Sequence, residues 1–97
     1  MEQEQEKEEL MLLSIMGEDR PGLTASIMAV LAKYNVHVQD IGQADIHSSL
    51  SLGILIRVEE PNSWKVMKEV LFKATELNVT VRFVPISLEQ YEAWVGR

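Results

Sequence analysis

Ninety-seven residues with 46% hydrophobic content, no cysteine and a formal net charge of −6 allow one globular domain and exclude a disulfide framework or a thiolate metal site. No apolar stretch approaches the roughly 20 residues of a membrane span, and the N-terminus is acidic where a secretory signal is basic, so a cytoplasmic location is the default expectation. Five acids and one lysine fall within residues 2–9, which leaves the remainder close to neutral, without the basic stripe that nucleic-acid binding requires.

Residues 1–9 read as a disordered, solvated acidic leader. Leu10 to Met16 is apolar on both parities, which suits a central strand covered on both faces. Gly17-Glu18-Asp19-Arg20-Pro21-Gly22-Leu23 then forms a turn into a helix. Asp19 is the expected N-cap, Pro21 fits the first helical turn, and Gly22 lets another group approach the backbone. With the positive end of the helix dipole, the orphan amides of such a start could hold a small anion; a well-made turn without a ligand is the other reading. The spacing matches neither the phosphate loop nor the dinucleotide fingerprint.

Leu23, Ile27, Val30, Leu31 and Tyr34 recur at helical spacing, and Asn35 is suited to the left-handed residue that ends the helix. Val36-His37-Val38 opens a strand reaching about His47, with a parity slip and a glycine that predict a bulge near Asp40-Ile41-Gly42. Ser48-Ser49 is the turn before a strand in which Leu50, Leu52, Ile54, Ile56 and Val58 share one face while Gly53, Leu55 and Arg57 point the other way. So tight a connection predicts an antiparallel hairpin.

Pro61-Asn62-Ser63 predicts the cap of a second helix, with Trp64, Met67, Val70, Leu71, Ala74 and Leu77 as its apolar face and Asn78 at its end. Val79 to Ile86 follows as an edge strand interrupted by Pro85. The order is βαββαβ, the α+β ferredoxin-like sandwich: a four-stranded antiparallel sheet with two helices on one face and the first and third strands central. The open face is expected to carry Met11, Leu13, Ile15 and Leu55, which implies a covering partner. In the tail, residues 88–97, Ser87 and Gln90 fit a capping box ahead of Leu88, Tyr91, Trp94 and Val95. This tail is either a helix docked on its own domain or a linker to a following domain.

Asp45 and His47 make at most half of a metal site, and no serine has the partners of a hydrolytic triad, so no catalysis by this chain is expected. The third strand has no aromatic residue for RNA recognition, and there is no metal-carrier cysteine loop. A small-ligand binding module remains.

The turn at residues 17–23 together with Asn35-Val36-His37-Val38 resembles the ACT-domain family over residues 10–87. Asp40-Ile41-Gly42-Gln43-Ala44-Asp45-Ile46-His47, Leu50-Ser51-Leu52-Gly53-Ile54-Leu55-Ile56 and Glu89-Gln90-Tyr91-Glu92-Ala93-Trp94-Val95 look like the N-terminal ACT region of bacterial phosphoserine phosphatases of the SerB type. That resemblance implies a regulatory domain of serine biosynthesis that binds an amino acid, L-serine first, between paired copies, as a homodimer or with a second ACT domain. It implies no cofactor here, since the magnesium-dependent catalytic domain would lie elsewhere in the parent enzyme and its Asp-x-Asp nucleophile motif is absent. The implied ligand residues are Asp19, Pro21, Gly22, Leu23 and His37, with Asp40 as a further contact for an ammonium. In amino-acid-binding members the positions of Asp19 and His37 are commonly asparagine. The other readings are a structural pairing module without ligand and an ACT regulator independent of any phosphatase.

Overall fold

A computed structural model describes residues 8–96. The elements run β1 (Glu8–Glu18), α1 (Leu23–Lys33), β2 (His37–Ile46), β3 (Ser49–Glu59), α2 (Glu60–Glu76), β4 (Thr80–Ile86) and α3 (Leu88–Val95). The sheet order is β2-β3-β1-β4, with every neighbour antiparallel. This is the ferredoxin-like arrangement, with β1 and β3 central. Glu8 and Glu9, expected in the leader, already pair with Glu59 and Val58; the rest of the leader lies outside the described residues.

Both crossover helices end in the same way, and the sequence says why. Asn35 and Asn78 take φ of 60° and 59°, a region that asparagine tolerates better than most residues. The N–H of Val36 reaches the Leu31 carbonyl and that of Asn35 the Ala32 carbonyl; Val79 and Asn78 repeat the pattern onto Ala74 and Thr75. These are two Schellman motifs, and each turns the chain directly into the next strand. The hairpin loop is His47-Ser48, one residue earlier than expected, and His47 supplies the positive φ (58°) that a tight hairpin needs. The bulge falls between Val38 and Asp40, next to the predicted position.

The helix-side core joins Leu13 and Ile15 of β1, Leu52, Ile54 and Ile56 of β3, and Ile27, Val66 and Val70 of the helices, all essentially fully buried. Two expectations are corrected here. Met11, Leu13 and Ile15 face the helices rather than the open side; the open face of β1 carries Leu10, Leu12, Ser14 and Met16, and of the four residues expected there only Leu55 is on it. Because β1 is apolar on both parities, only its register against β3 decides which set meets the helices. In α2, which starts at Glu60 with Glu59 as N-cap and no side-chain cap, Val66, Val70 and Ala74 are buried, while Trp64 and Leu71 are 59% and 52% exposed. Apolar residues surround most of this helix, so periodicity alone does not choose the buried stripe. Ser63 lies inside the first turn, its hydroxyl donating to the Glu60 carbonyl at 3.1 Å.

The tail begins with the expected cap. Ser87 and Gln90 close a reciprocal capping box, at 2.9 Å from the Ser87 N–H to Gln90 Oε1 and 3.0 Å from the Gln90 N–H to Ser87 Oγ. From there α3 runs over the open sheet face, where Gln90 and Tyr91 wall a groove shared with Leu12 and Leu55. Leu10 and Leu55, outside the helix-side core, are 8% and 9% exposed.

Two predictions test this packing. Leu13→Ala should cost about 2–5 kcal/mol in denaturant unfolding, the range for a buried leucine truncation, whereas Trp64→Ala should cost about 0.5 kcal/mol or less. Helices α1 and α2 are tied by Glu69, which accepts from Lys33 Nζ at 2.8 Å and from the Tyr34 hydroxyl; Lys33 first and Tyr34 second hold its carboxyl below the usual range. A carboxylate so depressed adds stability above its unfolded pKa and loses it as pH falls through the folded value. Glu69→Gln should therefore flatten the acid limb of a melting-temperature profile.

Candidate functional site

The β1–α1 connection is built around two residues. Pro21 and Gly22 occupy the central positions of a turn closed by the Leu23 N–H on the Arg20 carbonyl at 3.2 Å, with Gly22 at φ 82°, ψ 0°. Proline at the first centre and a positive φ at the second define a type II turn. Gly22 is also the helix N-cap, its carbonyl taking the Ser26 N–H at 2.9 Å. Asp19 is therefore not the N-cap, and α1 has no side-chain cap. A Cβ on Gly22 would meet nothing within 4 Å, so the backbone conformation, not a close neighbour in this chain, requires glycine here.

Leu23 opens α1 with its side chain buried in the core and its N–H spent on the turn. The amides of Thr24 and Ala25 are the orphan donors of the first turn, at the positive end of the helix. At the same end of β1, Gly17 allows a close crossing: a Cβ there would come within 2.7 Å of Val79 Cγ1.

The turn is anchored from a distance. The Asp19 N–H donates to the Ser48 carbonyl at 2.8 Å, which brings the hairpin tip against it and sets the Asp19 side chain beside Asp45. The hydrogen bond to Asp45, then partial desolvation, then repulsion by the Asp45 charge, push the Asp19 carboxyl above its ordinary value. Asp45 moves the opposite way, held down by Asp19 and by Gln43, whose Nε2 donates to Oδ1 at 3.0 Å. The two carboxyls are thus pushed apart, Asp19 upward and Asp45 downward, as neighbouring like charges are. Asp45 and Gln43 escape a reading by sequence spacing, because their link to Asp19 spans the β1–α1 turn and the hairpin.

His37 and Asp40 are not part of this cluster within one chain. His37 lies opposite Arg57 at the far end of β2; at about 3.3 Å per residue it is roughly 25 Å along the strand from Asp45. Asp40 follows the bulge, opposite Leu55 on the open face, with Oδ1 accepting the Ile41 N–H at 2.9 Å. Among the described residues no group of three His, Asp or Glu side chains could hold a metal ion, and no helix is long and apolar enough to cross a membrane.

A split βαββαβ sandwich with a Pro-Gly turn opening its first helix defines a ferredoxin-like domain. The family model described as ACT domain matches residues 9–84, and the chain belongs to that family. It is 29% identical to a UPF0237 protein of Pyrobaculum aerophilum over 86% of this chain and 94% of that one. With a UPF0237 protein of Methanopyrus kandleri it shares 33% identity, over 67% and 73% of the two chains. The likeness to the phosphoserine phosphatase SerB2 of Mycobacterium tuberculosis is 36% over 45 residues, 46% of this chain and 11% of that enzyme. Among solved structures, an ACT domain protein from Streptococcus pneumoniae superposes with a TM-score of 0.68 at 17% identity, over 79% of this chain and 89% of that one. The chain is a regulatory ACT domain; the SerB-type likeness is partial, and the similarity to the Pyrobaculum UPF0237 protein runs along nearly the full length of both chains.

Two measurements check the geometry of the turn. Carbon-detected NMR titration should place the Asp19 carboxyl above the ordinary aspartate value and return it to that value in Asp45→Asn. Gly22→Ala, which forces an L-residue to φ 82°, should cost about 1–2 kcal/mol without a steric clash.

Proposed function

We propose that this ACT domain senses a small amino acid, with L-serine the first candidate, at the end of the sheet formed by the β1–α1 turn and the hairpin tip. The observation that carries this reading is the pairing of opposite polarities: the orphan amides and dipole of α1 favour a carboxylate, and the Asp19–Asp45 pair beside them favours an ammonium. A zwitterion matches both. Pro21 and Gly22 set the turn that aims the amides.

The site is open, since residues 18–22 are all exposed, and a second copy would complete it. Strand β2 is a sheet edge whose residues are exposed from His37 to Ile46. An antiparallel two-fold pairing centred near Ile41 would carry His37 of the partner subunit to the Asp45 end, where its ring could donate to the ligand carboxylate. In this reading the residues that one chain keeps apart are gathered by dimerisation, and Asp40 stays outside the site.

The role in a phosphoserine phosphatase rests on the partial SerB2 likeness. Similarity along 94% of the Pyrobaculum protein favours a second reading, an ACT regulator independent of any phosphatase. Calorimetric titration with L-serine tests the binding: Asp19→Asn should weaken it about tenfold, the size of a lost charge-assisted contact, and His37→Ala should weaken it to a similar degree. No heat at millimolar serine would favour a structural pairing module. Sedimentation of the chain at tens of micromolar should show a dimer.

A further inference from the structure

The open face of the sheet carries a second feature that the amino-acid site does not use. Gly42 and Gly53 stand directly opposite each other in the β2–β3 ladder, and both direct their missing side chains to the open side, because their neighbours Ile54 and Leu52 face the core. A Cβ on Gly42 would meet nothing within 4 Å, and one on Gly53 would make only ordinary contacts, 3.9 Å from Leu12 Cδ1 and 4.0 Å from the Gly42 carbonyl. Neither has the positive φ that would demand glycine. Two facing glycines weaken a strand pair, and inside a strand they commonly mark a place where something approaches the backbone.

Above this bare floor is a groove of about 440 Å³, walled by Leu12 and Leu55 of the sheet, Ile86 at the end of β4, and Tyr91 of α3. Among the described residues its one charged lining residue is Asp40, which the bulge after Val38 sets opposite Leu55. The Ile41 N–H fixes Asp40 Oδ1 at 2.9 Å, and Oδ2 makes no hydrogen bond among the described residues. Among the described residues no cation lines the groove: Arg57 pairs with Glu8 at 3.5 Å, and Arg82 stands on β4, across Ser14 of β1 from Gly53.

We propose that this groove binds a small apolar amine, its hydrocarbon body laid on the Gly42–Gly53 floor between Leu12, Leu55 and Tyr91 and its ammonium on Asp40. The size is that of a small-molecule site, the lining is apolar, and a lone carboxylate fixes the sign of the ligand's charge. An amino acid is disfavoured, because no lining cation would answer its carboxylate. This site is separate from the β1–α1 turn and does not depend on serine binding there.

The test is an amide NMR titration of the whole chain with phenethylamine, with 3-phenylpropanoate and L-serine as parallel arms. Phenethylamine should shift the amides of Gly42, Gly53 and Leu55 saturably, and 3-phenylpropanoate should not. Asp40→Asn, which keeps an oxygen for the Ile41 N–H, should weaken the amine about tenfold. Gly42→Val should abolish binding by filling the floor, with Gly42→Ala as the milder variant if valine disturbs the strand. Equal shifts from amine and carboxylate overturn the proposal, as does the absence of saturable shifts at millimolar amine. It also falls if Gly42→Ala and Asp40→Asn both bind like the parent. Serine-induced shifts confined to residues 19–25 and 43–48 report on the turn site and leave this result independent.

Discussion

The pairing of β1 with β3, from Glu8 against Glu59 to Glu18 against Ser49, is the constraint on which the rest of the domain depends. It sets Leu13 beside Ile54 and Ile15 beside Leu52 on the side that both crossover helices cover. A shift of one residue would turn every side chain of β1 to the other face. The alternation from Leu50 to Val58 admits one buried set on β3, and this fixes β1, whose own pattern is ambivalent. The helices follow, because right-handed crossovers from β1 and β3 can only place α1 and α2 on the same face.

The two proposed sites lie along this frame. At one end of the sheet, the type II turn and the hairpin tip are stitched by the bond from the Asp19 N–H to the Ser48 carbonyl, which makes neighbours of two carboxylates far apart in the chain. A sheet end with a helix N-terminus on one side and a pair of adjacent carboxyls on the other is electrostatically divided, and in the proposed reading that division suits a zwitterion better than a simple anion. On the open face, α3 bends back from Ser87 and turns a flat apolar surface into a groove.

Edge strand β2 links the two regions. It carries His37, Asp40, Gly42, Gln43 and Asp45, yet all its residues are exposed and no helix covers it. A ten-residue edge without a proline, with Val38, Ile41 and Ile46 exposed, is a strand suited to another chain.

Much of this was legible from residue order. Periodicity gave the six principal elements, Asn35 and Asn78 marked their stops, Pro85 marked an edge, and Ser87 with Gln90 announced the tail's capping box, because each of these signals acts over a few residues. Other features were beyond local reading. The buried side of β1 depended on register, and the buried stripe of α2 depended on which of several apolar faces met the sheet. Asp19 lost the capping role because the Pro-Gly turn moved the helix start beyond it. The separation of His37 from Asp19, and the meeting of Asp19 with Asp45, follow from antiparallel pairing, which places residues by position along a ladder and not by nearness in sequence. The amino-acid order determined the fold and the turn; the tertiary structure decided which polar groups share a site, because only long-range pairing brings them within reach of one ligand.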